Sequence, residues 1–122
     1  MDEEIYRIEL FRIRWPQGFS CVHCRCTRYY PISGRDQYEC AGCGRQFSVT
    51  GGTFMHKSRL PLRTWFEAVA LYNADPHISA AEFARKLELT KPTAWLLQKK
   101  IRLGLKNTEG RTILAKMSAY LK

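Results

Sequence analysis

The amino-acid sequence predicts an α+β fold, in which a small ribbon of short antiparallel strands is followed by a helical helix-turn-helix domain. Three observations carry this prediction: two Cys-x-x-Cys pairs, strand-like runs around them, and helical periodicity with capping residues in the second half. We divide the chain accordingly into an N-terminal helix (1–14), a ribbon (15–53), a connector (54–63), a helix-turn-helix domain (64–106) and a C-terminal helix (107–122).

Four cysteines predict a metal site within the ribbon: Cys21, Cys24, Cys40 and Cys43. The interval between the two pairs, residues 25–39, falls in the range expected for a four-cysteine zinc site. Two tight turns place four thiolates around one Zn²⁺, and a closed tetrahedron holds the fold without doing chemistry. We therefore expect one structural zinc ion. Two disulfides are the alternative, but an acidic N-terminus without the apolar run of a signal peptide favours a reducing compartment, where thiolates bind metal.

The remaining cysteine and the histidines are predicted to stand outside the metal site. Cys26 could compete with Cys24, but the two-residue gap is shared only by the other pairs, which favours a free thiol packed beside the site. His23 lies inside the first turn, and we expect it to be solvated or to support a ligand. His56 and His77 are isolated in the sequence, so we interpret them as structural or surface residues.

Strand and helix signals fill in the first half of the chain. Residues 29–32, 37–40 and 45–49 are predicted as short strands, broken at residues 33–34 and 42–44. Gly44, directly after the last cysteine, suits a turn that directs amides at sulfur. Before the ribbon, Ile5, Ile8 and Phe11, with Leu10, predict the buried stripe of the N-terminal helix, which Pro16 and Gly18 end.

Capping signals divide the second half into helices. Two signals are capping boxes, in which a serine or threonine is followed three residues later by glutamate: Thr64 with Glu67 and Ser79 with Glu82. The third signal is Thr90, which is followed by Pro92 in the first turn of a helix. Ala84 allows a close helix crossing, and a shared core is predicted from Leu87, Ala94, Leu97 and Ile101. This pattern is typical of a helix-turn-helix, although no glycine stands in the turn near Glu88. An ordinary helical hairpin is the alternative.

The charge of the chain indicates a polyanionic partner. Twenty Lys and Arg against 11 Asp and Glu give a formal net charge of +9. The bases concentrate between Arg85 and Lys106, where Glu88 is the single acid. Because no stretch is long enough to span a membrane, we expect double-stranded DNA rather than a membrane. A solvated basic surface is the alternative for any one of these residues.

A helix-turn-helix inserts the N-terminal end of its second helix into the major groove. We therefore expect base contacts from Thr90, Lys91 and Thr93, and contacts to phosphates or flanking bases from Gln98, Lys99 and Arg102. Trp95 could also face DNA, but a tryptophan at helical spacing is more often part of a core.

These residues resemble a known family. The run CAGCGRQFSVTGGTFMH at residues 40–56, with Leu60-Pro61-Leu62, Trp65-Phe66 and Thr93-Ala94-Trp95, is similar to the N-terminal region of bacterial insertion-sequence transposases. The resemblance covers roughly residues 15–104. It implies a zinc ribbon and a helix-turn-helix that recognise transposon-end DNA, followed in those enzymes by an RNase H-like domain that uses acidic residues and Mg²⁺.

The chain departs from that family in two places. Val22 and Arg25 stand where the family tends to have proline and glycine, and the acidic catalytic motif expected after Lys106 is absent. Since two-metal catalysis needs clustered carboxylates, we expect a DNA-binding module and no enzyme activity. The predicted location is the bacterial cytoplasm, at the nucleoid, with homodimerisation left open. A zinc-ribbon protein-interaction adaptor or a small transcriptional regulator is the alternative.

Overall fold

The computed structural model describes residues 2–32, 37–56, 58 and 60–120. Within them, helix α1 precedes three strands, and four further helices follow the strands. The elements are α1 (Asp2–Arg14), β1 (Tyr29–Pro31), β2 (Tyr38–Cys40), β3 (Gln46–Phe47), α2 (Leu62–Ala74), α3 (Ala80–Leu87), α4 (Lys91–Gly104) and α5 (Thr108–Tyr120). The predicted α+β order is confirmed. The predicted break at residues 33–34 and the last two residues of the predicted C-terminal helix lie outside the described residues.

The three strands form one antiparallel sheet in the order β1-β2-β3. Tyr30 pairs with Glu39 across the first two strands, and Tyr38 pairs with Phe47 across the next two. The central strand ends at Cys40, so the sheet delivers one predicted metal ligand directly to the edge where the turns converge.

Helix α1 buries a different face from the one predicted. Leu10 and Ile13 are buried, whereas Ile5 and Ile8 keep 53% and 45% of their surface exposed. The reason is Tyr6, which the prediction did not count as apolar. Its ring packs 4.9 Å from the ring of Phe66 in α2, and this contact rotates the buried face of α1 onto Tyr6, Leu10 and Ile13.

Helix α2 begins earlier than predicted and is capped from a distance. The predicted capping box of Thr64 and Glu67 is wrong, because the helix starts at Leu62 after Pro61 and has no local side-chain cap. Instead, the carboxylate of Glu3 in α1 accepts hydrogen bonds from the N–H groups of Leu62 (2.6 Å) and Arg63 (3.3 Å). A carboxylate at a helix N-terminus satisfies unpaired donors and complements the helix dipole, so this contact fastens α1 to α2.

Helix α3 begins where the sequence predicted. The Ser79 hydroxyl accepts a hydrogen bond from the Glu82 N–H at 3.1 Å, which confirms this cap. Thr90 also occupies the N-cap position of α4, but its side chain accepts no backbone hydrogen bond. Its hydroxyl instead donates to the Thr93 hydroxyl at 2.9 Å, so the predicted cap at Thr90 is correct in position and wrong in bonding.

The turn between α3 and α4 is closed by a residue in the left-handed conformation. Glu88 has φ 56° and ψ 46°, and the N–H of Leu89 donates to the Ala84 carbonyl at 2.9 Å. This is the hydrogen-bonding pattern of a Schellman motif, in which glycine is the usual residue. The missing glycine therefore does not alter the turn but leaves a non-glycine residue in a strained backbone conformation.

We expect Glu88→Gly to stabilise the protein by about 1 kcal/mol, because glycine adopts a left-handed conformation without the steric penalty of Cβ. Urea denaturation measures the free energy of unfolding. Glu88→Ala is the matched control, since it also removes the carboxylate but keeps Cβ, and it should not stabilise. A glycine variant no more stable than the alanine variant would contradict this account.

One hydrophobic core joins all five helices. Its largest fully buried side chains include Trp65, Phe66 and Phe83, and the predicted Ala94, Leu97 and Ile101 lie in the same core. Helix α5 contributes Ile113, Leu114 and Met117 and contacts α1, α2 and α4. No helix in the described part of the chain is long and apolar enough to cross a lipid bilayer. The domain limits given above stay a prediction.

Candidate metal centre and basic helix face

The four predicted cysteine ligands converge on one point. Their sulfur atoms all lie within 4.8 Å of one another, with 3.8 Å between the sulfurs of Cys21 and Cys43 and 3.5 Å between those of Cys24 and Cys40. Four sulfurs bound tetrahedrally at ~2.3 Å from Zn²⁺ would be separated by about 3.8 Å. The cluster is therefore of the right size and chemistry for one zinc ion, as predicted.

The two Cys-x-x-Cys turns have the same hydrogen bonds at equivalent positions. In the first, the N–H of Arg25 donates to the Cys21 carbonyl, and in the second the N–H of Gly44 donates to the Cys40 carbonyl, both at 2.9 Å. The N–H groups of His23 and Gly42 point at the sulfurs of Cys21 and Cys40, each at 3.4 Å. Such amides stabilise thiolate charge, so both turns are built for metal-bound sulfur.

The residue after each turn has a left-handed backbone. Gly44 adopts φ 76°, which confirms its predicted role, and Arg25 adopts φ 63° at the equivalent position of the first turn. Glycine takes this conformation freely, whereas arginine does so at a steric penalty. The departure from the family pattern at Arg25 thus changes the local strain and leaves the turn intact.

Gly42 allows the second turn to approach the first. A Cβ at this position would lie 2.7 Å from the Cβ of Cys26 and 2.9 Å from the sulfur of Cys24. Cys26 therefore packs beside the site, as predicted, and its sulfur lies 3.8 Å from the carbonyl oxygen of Arg28. It does not belong to the group of four converging sulfurs.

The thiols of the cluster shift one another's pKa values through hydrogen bonds. A hydrogen bond from the main chain of Cys43 is the largest influence on the Cys40 thiol, whose pKa is lowered to about 6. The main chain of Cys26 acts in the same direction on Cys24, but hydrogen bonding with Cys40 and desolvation prevail and raise the pKa of Cys24 to about 12. Thiolates this close together repel one another, so the four cysteines do not all lose their protons without a cation. A bound divalent cation would offset this repulsion and allow all four to be thiolates.

An aromatic cluster, which the sequence analysis missed, holds the ribbon against α1. Phe19 and Phe47 stack with ring centroids 4.3 Å apart, and Trp15 lies between them and Phe11. Tyr29 and Tyr38 complete the cluster from the sheet. The signal available in the sequence was the density of aromatic residues between positions 11 and 47.

Arg14 ties the end of α1 to the segment that leaves the ribbon. Its Nη1 atom donates to the carbonyl oxygens of Ser48, Val49 and Gly51 at 3.3, 3.0 and 3.0 Å. Desolvation by burial lowers the pKa of this guanidinium, and the charge of Glu109 in α5 opposes that shift. Together with the aromatic cluster, this contact fixes the position of the ribbon against the helices.

The exposed side of α4 carries a stripe of basic residues around one tryptophan. Lys91, Trp95, Lys99 and Arg102 recur at intervals of three or four residues, and all of them are exposed. We call these four residues the basic face. Thr90 is exposed directly before it, Thr93 is half-buried beside it, and Lys106 is exposed in the turn after the helix.

The predicted contact of Gln98 with DNA is corrected by the structure. Its side chain is only 2% exposed, and its Nε2 atom donates to the Ile78 carbonyl at 2.9 Å. The sequence suggested an exposed polar residue, but position 98 lies on the side of α4 that packs against the start of α3. Gln98 therefore fastens α4 to the residue that precedes the Ser79 cap of α3, and it is withdrawn from the binding residues.

Other bases near α4 have partners within the protein. Lys100 donates from its Nζ atom to the His56 carbonyl at 3.3 Å. Arg85 and Lys86 both pair with the carboxylate of Glu82 on α3. The bases of this region are thus not equally available to a partner. In the described residues, the basic side chains of the basic face make no hydrogen bond or ion pair, and Arg102 lies over the ring of Tyr72, 6.0 Å from its centroid.

Comparison with known proteins agrees with the geometry of the ribbon. Residues 1–46 match the transposase zinc-ribbon domain. A relative, described as an uncharacterized protein in transposable element ISH50 of Halobacterium salinarum, is 38% identical over 66 residues, which cover 52% of this chain and 22% of the relative. The match thus spans only about a fifth of that relative's length. No solved structure matches the chain. The N-terminal part of the chain is therefore similar to a transposase zinc-ribbon domain, in line with the resemblance of its residues, and its four cysteines are placed to hold one metal ion.

Proposed function

We propose that this protein is a sequence-specific DNA-binding module, similar to the DNA-recognition region of an insertion-sequence transposase. The observation that carries the proposal is the basic face of α4, exposed on the second helix of a tightly joined pair and following a transposase-type zinc ribbon. The relative's description places it in a transposable element, which supports the same role. We place the module at the nucleoid, where it would act on double-stranded DNA.

The helices α3 and α4 serve as the helix-turn-helix. They pack closely through Ala84, Ala94 and Leu97, and the turn at Glu88 fixes the direction in which α4 leaves α3. In such a motif the N-terminal part of the second helix enters the major groove. Thr90, Lys91 and Thr93 lie at this end of α4 and are the proposed base-reading residues.

Lys99 and Arg102 lie about two and three turns beyond Lys91 on the same exposed side. Cations at this distance from the reading end reach the phosphates that flank the groove and fix the register of the helix on the duplex. Contacts to phosphate release counterions, so the binding affinity should fall steeply as salt rises. The module would bind DNA without cleaving it, because cleavage by two metal ions needs clustered carboxylates and the proposed contact residues are threonine, lysine and arginine.

We expect Lys99→Ala to weaken binding to all duplexes several-fold and to reduce the slope of log affinity against log salt by about 0.9, the contribution of one phosphate contact. Lys91→Ala should instead change the preferred sequence, because bidentate base contacts discriminate by roughly 1–3 kcal/mol. Fluorescence anisotropy with labelled duplexes at several salt concentrations measures both effects.

Lys116→Ala is the matched control for this experiment. Lys116 is an exposed lysine on α5, away from the basic face, so its removal takes the same charge from the protein without a proposed contact. If the three lysine variants reduce affinity equally, net charge explains the binding and the placement of the reading helix is wrong.

A protein-interaction adaptor is the second candidate, because α1 leaves Ile5 and Ile8 exposed on one side. Apolar side chains exposed together are typical of a surface that binds another protein, including a second copy of the chain. Ile5→Glu with Ile8→Glu should abolish self-association in sedimentation analysis if this surface is an interface. Monomeric wild-type protein that binds DNA would favour the first candidate.

A further inference from the structure

Of the three tryptophans, all of which lie in the described residues, Trp95 is the one whose side chain is exposed. Trp65 is 1% exposed and Trp15 packs within the aromatic cluster, whereas Trp95 leaves 53% of its surface open to solvent. The sequence indicated Trp95 as a possible DNA contact but favoured a place in the core. Its exposure means that Trp95 contributes little to packing, and that its indole ring is available to a partner.

The surroundings of Trp95 are cationic. The Nζ atom of Lys99 lies over the indole ring, 5.2 Å from its centroid, and Lys91 and Arg102 lie on the same stripe of α4. The cation–π contact holds the ring along the helix surface. Any polyanion that the three cations attract is therefore brought against the apolar faces and edges of the indole.

A second copy of the chain is a poor occupant for this surface. Two copies related by a twofold axis would place Lys91, Lys99 and Arg102 against the same residues of the other copy. Like charges brought together in this way repel one another, and the penalty grows as water is removed. A DNA duplex offers phosphates, which would bind the cations, and apolar sugar and base groups, which would pack against the indole.

We infer that Trp95 is a DNA-contact residue at the centre of the basic face, an inference that rests on the proposed function. The indole packs against apolar groups of the major groove, which are thymine methyl groups or deoxyribose carbons. It supplies a part of the affinity that does not depend on salt, whereas Lys99 and Arg102 supply the part that does.

The test compares Trp95→Ala, Trp95→Phe and Lys99→Ala on an alternating dA·dT duplex of about 20 base pairs, two turns of DNA, over a range of salt concentrations. Trp95→Ala should lose roughly 10-fold in affinity at every salt concentration with an unchanged salt slope, as for removal of an aromatic contact to a base. Trp95→Phe should retain most of the affinity, and Lys99→Ala should lower the slope.

Two further arms make the result specific. Tyr30→Ala removes an exposed aromatic side chain from β1, outside α4, and should leave binding unchanged. An alternating dA·dU duplex lacks the thymine methyl groups. If the affinity of the wild-type protein falls on this duplex and Trp95→Ala lowers it no further, the indole contacts the methyl groups. If Trp95→Ala lowers the affinity for this duplex as well, the indole contacts the sugars. Thermal unfolding of each variant verifies that it folds.

The outcomes separate this inference from the proposal on which it rests. A wild-type protein that binds no duplex would refute both. A wild-type protein that binds, with a Trp95→Ala variant that binds equally well, would refute the role of Trp95 alone. A Trp95→Ala variant whose loss of affinity comes with a reduced salt slope would also refute it, because the tryptophan would then be acting only through Lys99.

Discussion

Replacing Cys40 by serine is expected to release the metal ion and unfold the ribbon. Cys40 ends the central strand, is 1% exposed and lies with three other sulfurs in a cluster of the size that zinc requires. Structural zinc sites in small domains contribute about 10–16 kcal/mol of apparent binding free energy, which is also folding free energy. Among the described residues of the ribbon, the buried core around Phe19, Cys21 and Cys40 is small and cannot replace that contribution.

Zinc content measured by a chromogenic chelator, together with amide chemical shifts of the ribbon, would show both effects. Cys26→Ser is the matched control, because Cys26 stands beside the site without joining the four sulfurs. This variant should keep one zinc per chain and an ordered ribbon. A Cys40→Ser protein that keeps both metal and order would refute the assignment of the ligands, as would a Cys26→Ser protein that loses them.

Gly110→Ala should destabilise the helical part of the protein by about 3 kcal/mol and lower its Tm by roughly 10 °C. Gly110 lies in the first turn of α5, and a Cβ built there would overlap the carbonyl oxygen of Gly104 at the end of α4. A backbone atom cannot rotate away, so the two helices would have to separate. Gly104 is itself constrained, since its own Cβ would lie 2.6 Å from the ring of Phe54.

Helix propensity predicts the opposite sign for this substitution, which makes the test sharp. In an unconstrained helix, replacing glycine by alanine stabilises by about 1 kcal/mol. Ala115→Gly, at an exposed position of the same helix, is the control and should destabilise by about that amount. Thermal unfolding of both variants decides the matter, and a stabilised Gly110→Ala protein would show that α4 and α5 do not cross as closely as described.

Features encoded by neighbouring residues could be predicted from the sequence. The spacing within and between the cysteine pairs identified the four metal ligands because the chemistry of zinc fixes that spacing. The Ser79 cap of α3 was predictable for the same reason, since donor and acceptor stand three residues apart. The three short strands were also predicted at nearly their observed positions.

Features that depend on distant contacts could not be predicted in this way. Glu3 caps a helix that begins 59 residues later, and nothing near Thr64 in the sequence shows that this local cap is unused. The rotation of α1 depends on the contact of Tyr6 with Phe66, and the close approach of α4 and α5 depends on a pair of glycines. Each of these requires knowledge of which elements meet.

The candidate binding site shows the same division. The concentration of basic residues in α4 was visible in the sequence, but periodicity alone did not show which side of the helix would be buried. Gln98 was therefore predicted at the surface, and the core was favoured for Trp95. In the structure, Gln98 is buried where α4 packs against the start of α3, and Trp95 is exposed. A buried polar side chain is tolerated when it donates a hydrogen bond to a carbonyl. An aromatic side chain can remain exposed when it belongs to a surface that binds another molecule.

Selection of bound sequences from a pool of random duplexes, with zinc content measured on the same protein, tests the central claim most directly. We expect the zinc-loaded protein to enrich one short motif, and we expect protein stripped of zinc by a chelator to lose the order of its ribbon. Zinc-loaded protein that enriches no motif, or binds every duplex equally at physiological salt, would contradict the claim that this chain reads DNA sequence through α4.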